Sequence, residues 1–309
     1  MDRVSEVRRS AERPAAVPIE RSALLSALRV DVQWDVLVIG GGATGLGIAV
    51  DAAARGSRTA LLDARDFASG TSSRSTKLIH GGVRYLAQGN LKLVREALAE
   101  RALLLANAPE LVHPLEFVVP CYRPFEREVM RIGLGMYDSL AGRQSIGPTR
   151  WLSRDETLAR LPGVRRRGLR GGVSYWDAQF DDARLAIALM RTAHRLGAVP
   201  INYMRVESMK LAADGSIESV TAVDQETGER LPLRAKVVFN ATGVWVDEIR
   251  RLADPNPQPM VTVSRGSHIV VDRRFLASTA GMTIPRTTDG RVLFAIPWRG
   301  RLMLGTTDV

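Results

Sequence analysis

The sequence predicts an α/β fold in which a β-α-β unit carries a glycine-rich turn and a second lobe contains further β-sheet. Three observations support this prediction. Apolar residues at 36–39 form a buried-strand pattern that runs into the glycines, and a helical pattern follows as far as Gly56. A second short strand pattern covers 59–62. A third apolar strand pattern, at 236–239, again ends in small residues and precedes a helical pattern.

Residues 1–33 precede this unit, and we expect them to form a flexible N-terminal arm. They are rich in arginine and proline, and only the stretch from Ser22 to Arg29 has a helical pattern. Acidic residues such as Glu6 and Glu12 argue against an organellar transit peptide, because such peptides are poor in acids.

The glycine-rich turn has the G-x-G-x-x-G spacing of Rossmann-type dinucleotide-binding folds. Gly40 permits the tight turn, Gly42 lets the backbone approach a pyrophosphate, and Gly45 allows close packing of helix on strand. The helix N-terminus favours phosphate charge, and Asp63, at the end of the second strand, suits the adenosine ribose hydroxyls. The motif predicts a bound dinucleotide and leaves NAD and FAD open. The residues expected to contact it are Gly40, Gly42, Ala43, Thr44, Gly45 and Asp63.

Two later segments favour FAD. A hydroxyl-rich loop at 69–76 follows the ribose acid and suits a longer diphosphate and flavin, although the same composition is typical of a surface loop. The strand that ends at Asn240 leads into Ala241, Thr242 and Gly243, where the backbone can approach the same ligand a second time. Alone, this segment could be only a strand-to-helix turn.

The remaining patterns indicate that insertions interrupt the cofactor unit. Helical patterns cover about 91–107 and 128–140, and another follows Asp182 and ends at Gly197. We expect one region, 34–309, with cofactor-binding segments at about 34–110 and 170–250 and substrate-lobe segments at about 111–169 and 251–309.

Composition narrows the function classes. The formal net charge is +10 and favours anionic partners, but the excess arginine is spread along the chain. Nucleic acid is excluded as a partner, because no helix-turn-helix, zinc-finger or aromatic RNA-binding motif accompanies the charge. A single cysteine, Cys121, gives no disulfide framework and no metal spacing, and the apolar stretches fall short of the roughly 20 residues that span a bilayer. We therefore expect a cytoplasmic protein without a metal site or transmembrane helix.

Several segments together are more specific for a protein family than the glycine motif alone. They are Ile39–Gly45, Thr71–Leu86, Arg131–Asp138, Asp181–Leu185, Asn240–Trp245, Gly266–Val271 and Gly305–Asp308. They resemble the FAD-dependent, membrane-associated glycerol-3-phosphate dehydrogenases, whose fold is of the glutathione-reductase and amino-acid-oxidase type. The part from Lys77 to Leu86 is the most specific, because it separates this family from flavin amine oxidases of the same fold.

The resemblance implies non-covalent FAD, oxidation of sn-glycerol 3-phosphate to dihydroxyacetone phosphate, and delivery of electrons to a membrane quinone. It implies that Arg84 and Tyr85 bind the substrate phosphate, for which an arginine fork is well suited. It also implies peripheral association with the anionic inner face of the cytoplasmic membrane. The further FAD contacts that it implies are Thr71, Ser72, Ser73, Lys77 and Ile79.

Two histidines, His80 and His268, are candidates for the base that accepts the substrate hydroxyl proton, because histidine titrates near working pH. For each of them, a histidine that only completes a local hydrogen bond is the competing interpretation.

Two alternatives remain at this stage, and the sequence indicates no oligomeric state. One is an FAD-dependent amine or amino-acid oxidase, against which Arg84 argues. The other is a truncated flavin-binding fragment without activity. It arises because the chain ends at Val309, before a segment in which the family carries a further substrate arginine and a Gly-Gly-Lys stretch against the flavin.

Overall fold

The computed structural model describes residues 17–82, 89–287, 290 and 292–307, so the predicted substrate residues Arg84 and Tyr85 lie outside the described residues. Its helices are, in chain order, α1 (Arg21–Arg29), α2 (Ala43–Ala54), α3 (Leu91–Asn107), α4 (Glu126–Ala141), α5 (Arg154–Arg160), α6 (Asp182–Arg195) and α7 (Val246–Arg250). Among these helices of the described residues, none is long and apolar enough to cross a bilayer.

The strands are, in chain order, β1 (Gln33–Ile39), β2 (Thr59–Leu62), β3 (Leu78–Ile79), β4 (Val112–Cys121), β5 (Arg150–Leu152), β6 (Gly171–Phe180), β7 (Val199–Ile201), β8 (Met204–Leu211), β9 (Ile217–Asp224), β10 (Arg230–Asn240), β11 (Ile269–Asp272), β12 (Gly281–Ile284), β13 (Leu293–Trp298) and β14 (Arg301–Gly305). The chain divides into two compact units, Met1–Ser75 with Asp182–Val263 and Thr76–Asp181 with Ser264–Val309.

The first unit is built on a six-stranded sheet within the described residues, in the order β7-β2-β1-β10-β9-β8. Strands β7, β2, β1 and β10 run parallel, whereas β9 is antiparallel to both of its neighbours. The small residues of α2 and α6 let both helices pack closely on one face of the sheet. This arrangement confirms the predicted α/β fold of the Rossmann type. The buried residues of that layer include Val38, Leu46, Ala49, Leu61, Ala186 and Ala193.

The expected flexible arm is folded over part of its length. Arg21–Arg29 forms α1, and its apolar stripe, Leu24, Leu25 and Leu28, is buried in the core cluster of the first unit. Arg21 forms an ion pair with the buried Asp224 at the end of β9. The helical pattern was visible in the sequence, but only the sheet of the first unit supplies the apolar surface that stabilises so short a helix.

Replacing Leu28 with alanine is expected to lower the free energy of unfolding by about 2 to 5 kcal/mol, because the change leaves a cavity beside the first sheet. Leu28 is only 2% exposed. Val30→Ala is the matched control one residue beyond the helix, where the side chain is 55% exposed and the change should stay within about 0.5 kcal/mol. Urea unfolding of the two variants measures the difference, and equal effects would show that α1 is not anchored in the core.

The second unit contains an eight-stranded sheet within the described residues, in the order β11-β14-β13-β12-β4-β6-β3, with β5 also paired to β6. Strands β4 and β6 pair antiparallel over their full ten residues. Phe117, Tyr175 and Ile296 lie in the core of this unit. Helices α3 and α4 bury a smaller cluster that contains Leu98 and Tyr137.

The unit boundaries differ from the segments expected from the sequence. Residues 91–107, assigned above to the cofactor unit, pack as α3 on α4 and β4 in the second unit. Residues 171–180, also assigned there, form β6 beside β4. A strand pattern does not indicate which sheet the strand joins, because strand pairing depends on side-chain packing against residues distant in the chain.

Candidate functional site

The turn between β1 and α2 can be built only with glycine at two positions. Gly40 has φ of 109°, and a Cβ added there would lie 2.5 Å from the backbone oxygen of Ala241. A Cβ on Gly45 would lie 1.9 Å from the backbone oxygen of Gly40. Gly40 permits the turn, and Gly45 allows α2 to start directly against it, as the motif predicts.

Asp63 directly follows β2 and lies beside this turn. One carboxylate oxygen accepts a hydrogen bond from the backbone N–H of Gly41 at 2.6 Å, and the other accepts from that of Arg65 at 2.7 Å. Burial raises the pKa of Asp63, and the two N–H donors act against that rise. Each oxygen retains a lone pair, so the carboxylate can still accept hydrogen bonds from ribose hydroxyls.

The hydroxyl-rich loop closes over the N-terminus of α2. Thr71–Ser73 forms a short 3-10 helix, and the Ser72 hydroxyl accepts a hydrogen bond from the backbone N–H of Ala43 at 2.9 Å. The Ser72 hydroxyl proton is therefore free to point toward a ligand phosphate, because the N–H of Ala43 occupies only a lone pair.

A second strand end meets this turn. Strands β1 and β10 are parallel, and Ile39 at the end of β1 pairs with Asn240 at the end of β10. Ala241 therefore lies next to Gly40, and its N–H donates a hydrogen bond to the carbonyl oxygen of Ile39 at 2.8 Å. The carboxyl ends of parallel strands share one edge of a sheet, which is where such folds bind ligands.

The turn, the loop and the second strand end surround one cavity of about 1000 Å³ in the first unit. This volume lies at the upper end of the roughly 300–1,000 Å³ typical of small-molecule sites and suits a ligand longer than a mononucleotide. Gly45 packs behind the turn, and Ser73 follows Ser72 without lining the cavity. The predicted contacts that line the cavity are Gly40, Gly42, Ala43, Thr44, Asp63, Thr71, Ser72, Ala241, Thr242 and Gly243.

Sequence reasoning did not single out Arg65 and Trp245, which also line this cavity. The Arg65 guanidinium lies 4.4 Å from the centre of the Trp245 ring, a cation–π distance. A Cβ on Gly70 would be 3.2 Å from the same ring. Trp245 lies in the Asn240–Trp245 motif and Arg65 lies two residues after Asp63, but only the fold brings the two side chains together.

A comparison with known families decides the class of protein. The sequence profile of the family described as FAD dependent oxidoreductase matches residues 35–309. The chain belongs to the FAD dependent oxidoreductase family.

Relatives of this FAD dependent oxidoreductase confirm the resemblance that the motifs indicated. It is 43% identical over 318 residues to the mitochondrial glycerol-3-phosphate dehydrogenase SDP6 of Arabidopsis thaliana, across 97% of this chain and 50% of the relative. The solved glycerol-3-phosphate dehydrogenase of Bacillus halodurans, complexed with FAD, superposes with a TM-score of 0.75 at 36% identity, across 94% of this chain and 50% of that one. The chain spans about half the length of the curated relatives it matches.

More distant structures share the fold alone. The L-proline dehydrogenase of P. horikoshii superposes with a TM-score of 0.70 at 16% identity, across 90% of this chain and 71% of that one. The amine-oxidising alternative therefore has support only at the level of the fold.

FAD is the cofactor of this family, and the first unit of this FAD dependent oxidoreductase fits it. The turn has no room for side chains at Gly40 and Gly45, which keeps backbone exposed to a pyrophosphate. Asp63 is held by two backbone donors with lone pairs remaining for ribose. These features and the cavity volume agree with FAD, as the sequence predicts.

His268, the first candidate base, lies in the second unit. Its Nε2 is 3.0 Å from the Thr76 hydroxyl, and the ring packs so closely on Gly305 that a Cβ there would lie 2.4 Å from the ring carbon Cδ2. Burial and the charge of Lys77 lower the pKa of His268. A neutral imidazole at neutral pH can accept a proton, so the environment suits a base.

His80, the second candidate base, lies in an exposed position of the same unit. Its Nδ1 accepts a hydrogen bond from the backbone N–H of Gly82 at 3.0 Å. Since that lone pair is used, a neutral His80 carries its proton on Nε2 and acts there as a donor. This geometry favours a polarising or substrate-binding role over that of a base.

The remaining predicted residues are also placed in the second unit. Lys77 has a left-handed backbone, with φ of 61°, and its carbonyl accepts from Phe180 at 3.1 Å. Ile79 lies in β3 opposite Ala178. Neither lines the cavity of the first unit, so their expected contact with FAD remains a prediction.

Proposed function

We propose that this FAD dependent oxidoreductase converts sn-glycerol 3-phosphate to dihydroxyacetone phosphate and passes the electrons to a quinone. The observation that carries the proposal is the 43% identity to a glycerol-3-phosphate dehydrogenase across 97% of this chain. The FAD-complexed structure at 36% identity supports the same assignment.

In this proposal, the chain binds and orients the substrate and moves one proton. The residues that line the cavity of the first unit would hold FAD, which would supply the acceptor for a hydride from carbon 2 of the substrate. The neutral ring of His268 accepts the proton of the substrate hydroxyl. Carbon 2 thus loses a hydride, its oxygen loses a proton, and the alcohol becomes a ketone. Arg84 and Tyr85 hold the phosphate and thereby fix the position of carbon 2.

An absorbance spectrum tests substrate and cofactor together. The purified, FAD-loaded chain is expected to lose its oxidised flavin absorbance when glycerol 3-phosphate is added without oxygen. Glycerol and glycine are the controls, since they lack the phosphate and the polyol respectively. Bleaching by glycine instead would support the amino-acid oxidase alternative, and a flavin that glycerol 3-phosphate leaves oxidised would overturn the proposal.

Acidification is expected to slow flavin reduction, because His268 must be neutral to accept a proton. Burial and Lys77 lower its pKa from the ordinary value near 6.5, so kcat/KM should fall only as the pH drops through a midpoint below about 6.5. Lys77→Asn removes one cause of that lowering and should move the midpoint upward, while asparagine tolerates the left-handed backbone. An unmoved midpoint, with normal flavin content, would argue against His268 as the base.

Helix α4 offers a surface for the membrane part of the proposal. Phe125, Val129, Ile132 and Met136 recur at helical spacing and are 50% to 78% exposed. The opposite face, with Leu134 and Tyr137, is buried. Such a helix can lie in a bilayer surface with its apolar stripe among the acyl chains.

Arginines flank this stripe. Arg123 and Arg131 are exposed, and Arg127 and Arg131 lie 4.5 and 5.0 Å from the ring centre of Trp151. Guanidinium groups and a tryptophan beside an apolar stripe suit the headgroup layer of an anionic membrane. We therefore propose that α4 docks this protein on the inner face of the cytoplasmic membrane.

Replacing Ile132 with glutamate is expected to reduce binding to phosphatidylglycerol vesicles by about tenfold or more, because burying a carboxylate in the interface opposes docking. Leu211→Glu, at an exposed apolar position in the first unit, is the matched control and should leave binding unchanged. Vesicle sedimentation measures both. Equal binding by the Ile132 variant and the parent chain would exclude α4 as the docking surface.

A further inference from the structure

A buried polar network lies in the second unit beneath the turn formed by His80, Gly81 and Gly82. The Asp177 carboxylate oxygen Oδ1 accepts hydrogen bonds from the Arg101 guanidinium and from the Tyr137 hydroxyl, both at 2.7 Å. The Tyr137 oxygen in turn accepts the backbone N–H of Gly81 at 2.6 Å. The result is a continuous chain of hydrogen bonds from a buried ion pair to the backbone of the turn.

All three side chains of this network are almost fully enclosed. Arg101 and Tyr137 are 1% exposed and Asp177 is 3% exposed. Arg101 also donates to the carbonyl oxygen of Trp176 at 3.1 Å. Apolar residues of the same volume would stabilise such a core at least as well, because the ions lose their hydration. Stability alone therefore does not account for a buried arginine, aspartate and tyrosine at this place.

The network constrains the turn in two ways. The Tyr137 hydroxyl donates to Asp177, so its lone pair is directed at the Gly81 N–H and holds that peptide in one orientation. A Cβ on Gly81 would lie 2.5 Å from the Tyr137 oxygen and 2.7 Å from Leu98, so the backbone is pressed directly onto the network. Burial raises the pKa of Asp177, and the charge of Arg101 and the hydrogen bond from Tyr137 act against that rise.

We propose that Tyr137, Asp177 and Arg101 are positioning residues that fix the backbone of the His80–Gly82 turn and, through it, the orientation in which this segment meets the substrate. The inference rests on the proposed function, since it takes His80 as a residue that meets the substrate. It also explains why a tyrosine occupies position 137 of the Arg131–Asp138 motif, which the proposed reaction leaves without a role.

The test compares two buried tyrosines in the same unit: the Tyr137 hydroxyl bonds to Gly81 and Asp177, and the Tyr175 hydroxyl bonds to Thr283. Tyr137→Phe removes the acceptor of the Gly81 N–H and keeps the ring. Tyr175→Phe is the matched control, because Tyr175 is 2% exposed, packs edge-on against Tyr137, and its hydroxyl bonds only to Thr283 in the described contacts. Both variants lose buried hydrogen bonds, and Tyr137→Phe should be destabilised more because it loses two, so flavin content and unfolding midpoint are measured for each.

Hydrogen exchange of the FAD-loaded full chain tests the network without substrate. The Gly81 amide of the parent chain should exchange at least about 100-fold more slowly than an unprotected amide, and Tyr137→Phe should accelerate it while Tyr175→Phe does not. Fast exchange at Gly81 in the parent chain would overturn the proposal and requires no variant to fold.

Kinetics then test the consequence for the substrate. Tyr137→Phe should raise the KM for glycerol 3-phosphate by about tenfold or more at unchanged flavin content, whereas Tyr175→Phe stays within about twofold. Equal changes in the two variants would reduce the network to packing. If glycerol 3-phosphate does not reduce the flavin of the parent chain, the proposed function fails. Hydrogen exchange at the Gly81 amide still decides whether the network holds the turn.

Discussion

Replacing Gly45 with alanine is expected to abolish FAD binding in practice, with a loss of affinity of about 100-fold or more. The added Cβ would lie 1.9 Å from the carbonyl oxygen of Gly40 and 3.2 Å from a methyl carbon of Val38. Helix α2 would have to move away from β1, and overpacking of this kind costs about 1 to 3 kcal/mol, with the higher values expected where the clash is with backbone. Because the N-terminus of α2 faces the cavity, the displacement reaches the phosphate site directly.

Gly47→Ala is the matched control for this prediction. Gly47 lies two residues further along α2, and a Cβ there would meet nothing within 4 Å. Alanine should even stabilise the helix by about 0.5 to 1 kcal/mol. The flavin-to-protein ratio after purification and the Kd from flavin fluorescence measure both variants. Equal FAD retention would show that close packing of helix on strand is not needed for the cofactor.

His268→Gln is expected to lower the rate of flavin reduction by glycerol 3-phosphate by about 10²- to 10⁴-fold, the range typical for removal of a general base. The glutamine amide can still form a hydrogen bond with the Thr76 hydroxyl, which His268 contacts at 3.0 Å. The flavin content should therefore stay unchanged while the proton acceptor is lost. Stopped-flow measurement of flavin absorbance gives the rate.

Two other histidines complete this experiment. His80→Gln should have the smaller effect on the reduction rate, because Nδ1 of His80 already accepts from Gly82. His113→Gln is the control and should leave the reduction rate unchanged, since His113 is exposed and contacts only Gln179 in the described hydrogen bonds. A larger loss in the His80 variant than in the His268 variant would transfer the role of base to His80.

Local spacing was sufficient to predict the strand, turn and helix around the glycine motif. The strand, the turn from Gly40 to Gly45, the helix and Asp63 lie within 31 consecutive residues from Gln33, and the structure reproduces them in the predicted order. The helix at Leu91–Asn107 also has the predicted bounds. These features follow from hydrophobic period and from glycine conformation, which act between near neighbours.

Long-range pairing determined the rest. Strand β10 takes its place beside β1 across roughly two hundred residues of chain and thereby brings Ala241 to Gly40. The assignment of β6 to the second sheet and the burial of α1 depend in the same way on partners distant in sequence. The sequence pattern of β6 does not indicate which sheet the strand joins, and that of α1 does not indicate that the helix is buried.

The buried side chains show the same division most clearly. In the sequence, Tyr137 and Gly81 stood only as members of two separate motifs, and no signal indicated Asp177. Their meeting depends on α4 and β6 packing behind the turn, because a hydrogen bond needs atoms within about 3 Å and in line. The residues that identify the family could therefore be predicted from the sequence, whereas the hydrogen bonds of Tyr137 to Gly81 and Asp177 emerged only from how the helices and strands pack.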